Sequence, residues 1–203
     1  MDKIIEFFRE VGKLKTLKRT GWVVEGVQDP ESIADHSFRT ALAVIILGKH
    51  KQDIDLFKCV KMALAHDIAE SQIGDLLVDW KLDAHGEEKL KNLKDREKHG
   101  ITLEEKIKRE KEGMKKLTSV LGEEGKELLE LWEEFEECKT KESVFVKSVE
   151  NFEMFLQAYE YEESQQGVDI SSWFNHGNNW RAKDQEINSL IKIIVEKRKA
   201  RQP

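Results

Sequence analysis

The sequence predicts an all-α fold, a compact helical bundle. Only two prolines occur, at positions 30 and 203, so few residues would break a helix. Leu, Glu, Lys and Ala are abundant and favour helices, and no stretch alternates apolar and polar residues over a useful strand length. The length of 203 residues suits one domain with a substantial buried core.

Hydrophobic residues at helical spacing place the elements of the first half of the chain. A helix is predicted over about 3–17, followed by an irregular loop over 18–32 that contains two glycines and a proline. The next helix is predicted over about 33–50. Four apolar residues at helical spacing predict its buried face: Phe38, Leu42, Ile45 and Ile46.

A third helix is predicted over about 55–71. The segment over about 83–141 is rich in charge and predicts a solvated helical excursion, although apolar residues in its second half offer packing faces. Another helix is predicted over about 143–163, and Asp184 is expected to cap the last one. We expect a single domain that spans residues 1–203.

The charge balance and the cysteines limit the classes of partner and compartment. With 40 acidic and 34 basic residues the net charge is −6, which disfavours a broad nucleic-acid-binding face. No run of residues approaches the length of a membrane span. Cys59 and Cys138 have neither disulfide nor zinc-site spacing, which favours a reducing compartment. We expect a cytoplasmic protein whose partners include no nucleic-acid polymer and no membrane.

Candidate metal ligands are the most informative residues of the chain. His66 and Asp67 stand side by side at the end of an apolar helical stretch, and His36 lies at the start of an earlier one. Imidazole and carboxylate groups are good ligands for divalent metals and are unfavourable to bury unpaired. Two further acids, Glu70 and Asp75, follow downstream. A single His on a helix is more often a hydrogen-bonded core residue, so the prediction of a metal site rests on the combination of His36, His66 and Asp67.

These motifs resemble the HD-domain 5′-deoxynucleotidases, the YfbR-like family in its archaeal and eukaryotic branch. The resemblance extends over roughly residues 14–162, although 83–141 matches only loosely. It rests on four blocks of sequence: Arg19-Thr-Gly-Trp22, Pro30-Glu-Ser-Ile-Ala-Asp-His36-Ser, His66-Asp67-Ile-Ala-Glu70 with Asp75, and Glu150-Asn-Phe-Glu-Met-Phe-Leu-Gln-Ala-Tyr-Glu-Tyr161.

The resemblance implies one divalent metal ion, cobalt, manganese, zinc, nickel or iron, held by four residues. His36, His66 and Asp67 match three of the family's ligands. Glu150 stands where the family has an aspartate as the fourth ligand. Glutamate is still a carboxylate but is one methylene longer, so its reach to the ion differs. Glu153, on the same predicted helix, is the alternative candidate for the fourth ligand.

The resemblance also implies roles around the metal. Glu70, one helical turn after His66, is expected to act as general base, and Asp75 to lie near the reacting centre. Arg19 is expected to bind the substrate phosphate with its planar guanidinium, with the neighbouring Lys18 as the alternative. Trp22 is expected to cover the sugar, with a hydrophobic anchor for the loop as the alternative.

The expected activity is hydrolysis of the 5′-phosphate of a deoxyribonucleoside monophosphate. Two alternatives remain open: another HD-type nucleotide phosphohydrolase or phosphodiesterase, and a non-catalytic nucleotide-binding protein. The absence of an obvious cluster of extra histidines disfavours a two-metal phosphodiesterase. A homodimer is also left open.

Overall fold

The prediction of an all-α fold is confirmed. The computed structural model describes residues 2–78, 101–165, 167–171, 174 and 182–201. These residues form helices, and the pairing of extended backbone among them is limited to two isolated bridges. Within these ranges, every helix is too short or too polar to cross a lipid bilayer.

Helices of unequal length account for most of the described residues. In the first part of the chain they are α1 (Asp2–Val11), a 3₁₀ helix (Gly12–Lys15), α2 (Thr20–Val24), α3 (Ile33–Gly48), α4 (Leu56–Ala65) and α5 (Glu70–Ile73). In the second part they are α6 (Leu103–Thr118), α7 (Glu123–Glu137), α8 (Lys141–Ser164) and α9 (Gln185–Lys199).

Side-chain caps fix where the long helices begin. Ser32 and Asp35 form a reciprocal capping box at the start of α3, and Thr140 and Ser143 form another at the start of α8. Asp184 accepts hydrogen bonds from two backbone N–H groups at the start of α9, as predicted. The first two caps fix the starts of the helices that carry His36 and Glu150.

The predicted helix over 55–71 is interrupted. Helix α4 ends at Ala65, and the chain makes tight turns before α5 begins at Glu70. The N–H of Ile68 bonds to the Ala65 carbonyl, and that of Glu70 to the Asp67 carbonyl. These three-residue closures turn the chain more sharply than an α-helix does, so the segment after Ala65 can face into the bundle.

The predicted buried face of α3 is wrong. Its four residues Phe38, Leu42, Ile45 and Ile46 are 68, 47, 45 and 64% exposed, respectively. The buried face instead carries Ile33 and a set of smaller or polar residues: His36, Ser37, Thr40, Ala41, Val44 and Gly48. Apolar side chains on both faces of α3 explain the error, because spacing alone does not say which apolar stripe faces the core.

The described part of the expected excursion, 101–141, packs into the core. Met114 and Leu117 of α6 belong to one buried cluster together with Phe7 of α1. Leu131 and Phe135 of α7 belong to another cluster, formed mainly with α3, α4, α8 and α9. The prediction that apolar residues of this region offer packing faces is therefore confirmed, but these helices are part of the core rather than a solvated excursion. The rest of the region, 83–100, lies outside the described residues.

Helix α8 is the centre of the bundle. It packs against α3, α4, α7 and α9, while α6 packs against α1, α5 and α7. Helices α3 and α4 run antiparallel, because His36 contacts His66 at one end and Gly48 approaches Leu56 at the other. The arrangement brings the start of α3, the end of α4 and the middle of α8 to one place.

Replacing Trp132 should test whether α7 belongs to the core. Its side chain is 1% exposed, so Trp132→Ala should lower the free energy of unfolding by about 3–5 kcal/mol through lost burial and a cavity. Chemical denaturation followed by circular dichroism measures the change. Ile193→Ala, at a half-exposed position of α9, is the control and should change it much less. A Trp132→Ala protein as stable as the wild type would contradict the packing.

Candidate metal centre

Three side chains, one from α3 and two from the turns that follow α4, meet at one point. The Nε2 atoms of His36 and His66 lie 3.3 Å apart. Asp67 Oδ2 lies 3.2 Å from His66 Nε2 and 3.9 Å from His36 Nε2. Both imidazoles are buried, and Asp67 is largely buried. The structure thus brings together the three residues that the sequence singled out first.

A separate contact on each ring turns both Nε2 atoms toward the same point. His36 Nδ1 lies 2.5 Å from Glu153 Oε2, and His66 Nδ1 lies 2.7 Å from the Ala63 carbonyl oxygen. With the proton on Nδ1 in each case, Nε2 keeps its lone pair for a metal. The tautomer that suits ligation is therefore the one that these neighbours favour.

The donor set fits a divalent transition metal. Two neutral imidazoles and a carboxylate suit zinc, cobalt, nickel, iron or manganese. Ligands about 2.0–2.2 Å from one ion at a tetrahedral or right angle are about 3 Å apart. The 3.2 and 3.3 Å separations that involve His66 Nε2 match that spacing.

The electrostatics of His66 and Asp67 depend on each other. Burial opposes the charged form of each, but their mutual attraction outweighs it. The pKa of His66 is raised and that of Asp67 is held well below its usual value, with Arg19 also lowering the latter. Asp67 favours the protonated form of His66, so a metal must displace that proton. Metal binding should therefore release a proton.

A second group of potential ligands lies behind His36, formed by His36, Glu31 and Glu153. Glu153 is already engaged, because Oε2 faces His36 while Oε1 accepts from Arg39 Nε at 2.8 Å. Glu31 Oε1 accepts from the indole of Trp22 at 2.9 Å. We interpret this group as the support that orients His36.

Glu150 is buried but lies outside the group formed by the two histidines and Asp67. Its Oε2 is 3.4 Å from Lys147 Nζ and accepts no hydrogen bond from the described residues. Burial raises the pKa of Glu150, but the charges of Lys147 and His66 more than offset this and leave it below the usual value. Glu150 is thus held ionised close enough to His66 to feel its charge, and its Oε2 has Lys147 as a neighbour but no hydrogen bond from the described residues.

Arg19 lies directly beside the group, in contact with Asp67. Its Nη1 donates to Asp67 Oδ2 at 3.0 Å, and its Nη2 lies 3.3 Å from Met154 Sδ. Its backbone N–H bonds to the Glu31 carbonyl. The guanidinium is positioned to neutralise charge next to Asp67, as expected for a group that binds an anion.

Glu70 is a buried carboxylate, 1% exposed, and neither oxygen has a hydrogen-bond partner among the described residues. Burial and the charges of Asp67 and Asp75 raise its pKa well above the usual value. Lys106 Nζ, from α6, lies 3.7 Å from its Oε1. A carboxyl group with a raised pKa next to candidate ligands is suited to proton transfer.

Asp75 connects the segment after α5 to the start of α2 by two hydrogen bonds. Its Oδ2 accepts from the backbone N–H of Thr20 at 2.7 Å, and its carbonyl accepts from the Thr20 hydroxyl at 2.7 Å. Thr20 begins α2, directly after Arg19. Asp75 therefore positions the segment that carries the guanidinium.

Trp22 is placed differently from the expectation. Its side chain is 1% exposed and packs edge-on against Tyr161, in a buried cluster with Val27 and Ile170. The expected contact with a sugar does not match this placement. The alternative expectation, that Trp22 is a hydrophobic anchor for the loop that holds Arg19, matches this placement.

Comparison with known proteins identifies the family. Residues 11–188 match the HD domain family. The chain belongs to this family. Within it, a 5′-deoxynucleotidase HDDC2 from Dictyostelium discoideum is 44% identical over 170 residues, which are 80% of each chain. The protein of the same name from Homo sapiens is 40% identical over 161 residues, 79% of this chain and 69% of that one.

A solved structure shows the same fold. A conserved hypothetical protein from Pyrococcus furiosus is 31% identical and superposes on this HD domain with a TM-score of 0.69. The match covers 96% of this chain and 99% of that chain. The resemblance inferred from the motifs is therefore confirmed at the level of the family.

Sequence reasoning overlooked several charged residues around this HD-domain site. Lys106 and Lys147 occur among many other lysines on charged helices, and their spacing gives no sign that they point inward. Arg39 has no sequence signal either. Glu153 is the exception, because it lies one helical turn after Glu150, shares its face of α8 and is the predicted alternative to it as a ligand.

Removing the carboxylate behind His36 should weaken metal binding without removing a ligand. Glu153→Gln should lower the affinity of the metal-free protein for Mn²⁺ or Co²⁺ by about 10–100-fold, the usual effect of losing such a partner. Isothermal titration calorimetry measures it. Glu160→Gln is the matched control, because Glu160 also binds Arg39 but does not contact His36. Equal affinity of Glu153→Gln and wild type would contradict the orienting role.

The fourth ligand can be tested at Glu150. Glu150→Ala should weaken metal binding more than Glu153→Gln does, whereas Glu150→Asp should retain it because the carboxylate remains. The same titration compares all three variants. Unchanged affinity in Glu150→Ala would show that the ion is held without this residue.

Proposed function

We propose that this protein is a metal-dependent phosphohydrolase that removes the 5′-phosphate from deoxyribonucleoside monophosphates. The observation that carries the proposal is the convergence of two imidazole Nε2 atoms and a carboxylate at a buried point beside a guanidinium. Family membership and the printed names of its relatives support the substrate class. The proposed metal is divalent, because imidazole and carboxylate donors suit such ions.

The proposed division of roles follows from the contacts. His36, His66, Asp67 and Glu150 would hold the ion, which when bound supplies a Lewis acid and lowers the pKa of water. Arg19 would bind the phosphate, because its guanidinium can face both a carboxylate and a phosphate oxygen.

Glu70 is proposed as the group that moves the proton. Its raised pKa and its position beside Asp67 allow it to accept a proton from the attacking water and to return it to the leaving hydroxyl. Asp75 would hold the loop of Arg19 in place and contribute negative charge near Glu70.

Lys106 is proposed as a second phosphate-binding group. Its Nζ lies between Glu70 Oε1 at 3.7 Å and Glu110 Oε1 at 3.4 Å, both longer than a good hydrogen bond. Although burial disfavours its charge, Glu110 and Glu70 more than offset this and raise its pKa. A charged ammonium without tight hydrogen bonds to these acids can turn to an incoming phosphate.

A nucleotide panel tests the activity directly. Phosphate release should be measured for 5′- and 3′-deoxynucleotides, 5′-ribonucleotides and cyclic nucleotides, each with Mn²⁺, Co²⁺, Zn²⁺, Ni²⁺ or Fe²⁺. The proposal expects turnover of 5′-deoxynucleotides with at least one metal. Hydrolysis of cyclic diesters instead would favour a phosphodiesterase, and nucleotide binding without turnover would favour a non-catalytic protein.

Three further proposals concern the partners and the location of the protein. A cytoplasmic location fits the unpaired thiols of Cys59 and Cys138. The negative net charge continues to disfavour a nucleic-acid polymer. A homodimer would cover the hydrophobic residues that α3 exposes.

Glu70→Gln should separate proton transfer from metal binding. The amide keeps the shape of the side chain but cannot act as a base, so kcat should fall by roughly a hundredfold or more while metal content stays at the wild-type level. Steady-state phosphate release and elemental analysis measure the two quantities. Loss of metal in Glu70→Gln would make this residue a ligand.

Lys106→Met should weaken substrate use while leaving metal affinity intact. Loss of a charge-assisted contact costs about 1.5–3 kcal/mol, so kcat/KM should fall by roughly 10–100-fold. Lys108→Met, at an exposed position on the same helix, is the matched control and should be neutral. Wild-type kcat/KM in Lys106→Met would remove the residue from the site.

A further inference from the structure

Tyr161 is a buried residue of α8 whose presence neither metal binding nor proton transfer explains. It ends the sequence block on this helix that carries part of the family resemblance. Its hydroxyl accepts a hydrogen bond of 2.8 Å from the backbone N–H of Glu31, 130 residues away in the chain. Its ring packs edge-on against Trp22, with the ring centroids 5.5 Å apart. The side chain therefore contacts two parts of the loop that carries Arg19.

Glu31 is the residue at which these contacts meet. Its N–H donates to the Tyr161 hydroxyl, and its side-chain Oε1 accepts from the indole of Trp22 at 2.9 Å. Its carbonyl oxygen accepts from the backbone N–H of Arg19 at 3.1 Å. Next to this last contact the two backbone segments form an antiparallel bridge. The backbone of Glu31 thus joins the Tyr161 hydroxyl on one side to Arg19 on the other.

The backbone of Arg19 is held on both sides. Glu31 binds its N–H, and the next residue, Thr20, bonds to Asp75 through its own N–H and its hydroxyl. The guanidinium also contacts α8, because Nη2 lies 3.3 Å from Met154 Sδ.

Met154 and Tyr161 are seven residues apart, about two helical turns, and so lie on the same face of α8. One face of this helix therefore reaches the guanidinium of Arg19 directly and the backbone of Arg19 through Glu31. The same helix carries Glu150 and Glu153, which lie beside the candidate ligands. Helix α8 thus contributes to both the metal centre and the placement of Arg19.

We propose that the hydroxyl of Tyr161 positions Arg19 for the substrate phosphate and that it acts through the backbone of Glu31. The inference rests on the proposed role of Arg19 in binding the phosphate. A group that binds the reacting phosphate needs a defined position, because a displacement of about 1 Å can reduce turnover by about a hundredfold. An arginine side chain has many rotamers, so a fixed backbone limits the places that its guanidinium can reach. Tyr161 is a positioning residue and need not contact the substrate.

Loss of the hydroxyl would transmit a displacement to Arg19. Without this oxygen, the partly buried N–H of Glu31 would lack its partner, which is unfavourable. The segment could satisfy the N–H only by moving toward water. Arg19 would move with it, because its own N–H is bonded to the carbonyl of the same residue.

Tyr161→Phe tests the proposal, because it removes one oxygen and keeps the ring that packs on Trp22. The inhibition constant for inorganic phosphate should rise by about tenfold, and kcat/KM for a 5′-deoxynucleotide should fall by a similar factor. The affinity for Mn²⁺ in calorimetry should stay within about threefold of the wild type, because the hydroxyl bonds to a backbone group rather than to a ligand. Tyr159→Phe is the matched control and should match the wild type, since it removes a hydroxyl from the same helix at a ring that packs against Arg201.

A double-mutant cycle with Arg19→Ala tests whether Tyr161 acts through Arg19. In an Arg19→Ala protein, Tyr161→Phe should have no further effect on kcat/KM. Effects of the two changes that multiply would overturn the proposal. Wild-type inhibition by phosphate in Tyr161→Phe would overturn it as well, and so would a tenfold loss of Mn²⁺ affinity in that variant. Wild-type kcat/KM in Arg19→Ala would instead remove the phosphate-binding role of Arg19 itself, and this proposal with it.

Discussion

The contact between His36 and Glu153 is the interaction on which the site depends. It joins α3 to α8 at 2.5 Å in a buried environment and leaves Nε2 of the ring facing His66. Arg39 binds the other oxygen of Glu153, so the carboxylate is held from both sides. Without this arrangement, nothing would hold the His36 ring in the tautomer with the proton on Nδ1 or keep its Nε2 facing His66.

The site contains many buried charged groups, which are unfavourable for the stability of the fold. Acidic groups predominate at the site and include Asp67, Glu70 and Glu150. Each of these acids has a cation near it, respectively Arg19, Lys106 and Lys147. Burying charged groups is unfavourable even when they are paired, so such a network is weak evidence for stability. An ion that carries two positive charges would relieve the excess of acid, which is a physical reason to expect metal and fold to stabilise each other.

Sequence reasoning succeeded where local chemistry decides the outcome. The helical class followed from composition, the start of α9 from the capping side chain of Asp184, and the grouping of His36 with His66 and Asp67 from ligand type and order. It failed where tertiary packing decides. Helix α3 has two apolar faces, so its spacing could not show which one is buried.

Long-range contacts account for the remaining differences. The sequence suggested that the ring of Trp22 covers the sugar of a substrate, but the ring packs against Tyr161, a residue far away in the chain. Lys106 belongs to a charged helix whose pattern suggests solvent, yet the packing of α6 on α5 brings it to Glu70. Neither contact leaves a local trace, because both depend on helices distant in sequence.

Metal content and phosphate release of Asp67→Ala, measured on the same preparation, test the central claim most directly. Asp67 contacts both histidines and Arg19, so its removal should take away a ligand oxygen and a guanidinium partner together. The account predicts that the wild type holds about one equivalent of divalent metal. In Asp67→Ala, both the metal and the turnover of 5′-deoxynucleotides should be lost, whereas Asp53→Ala at an exposed site should keep both. An Asp67→Ala protein with stoichiometric metal and full activity would contradict it.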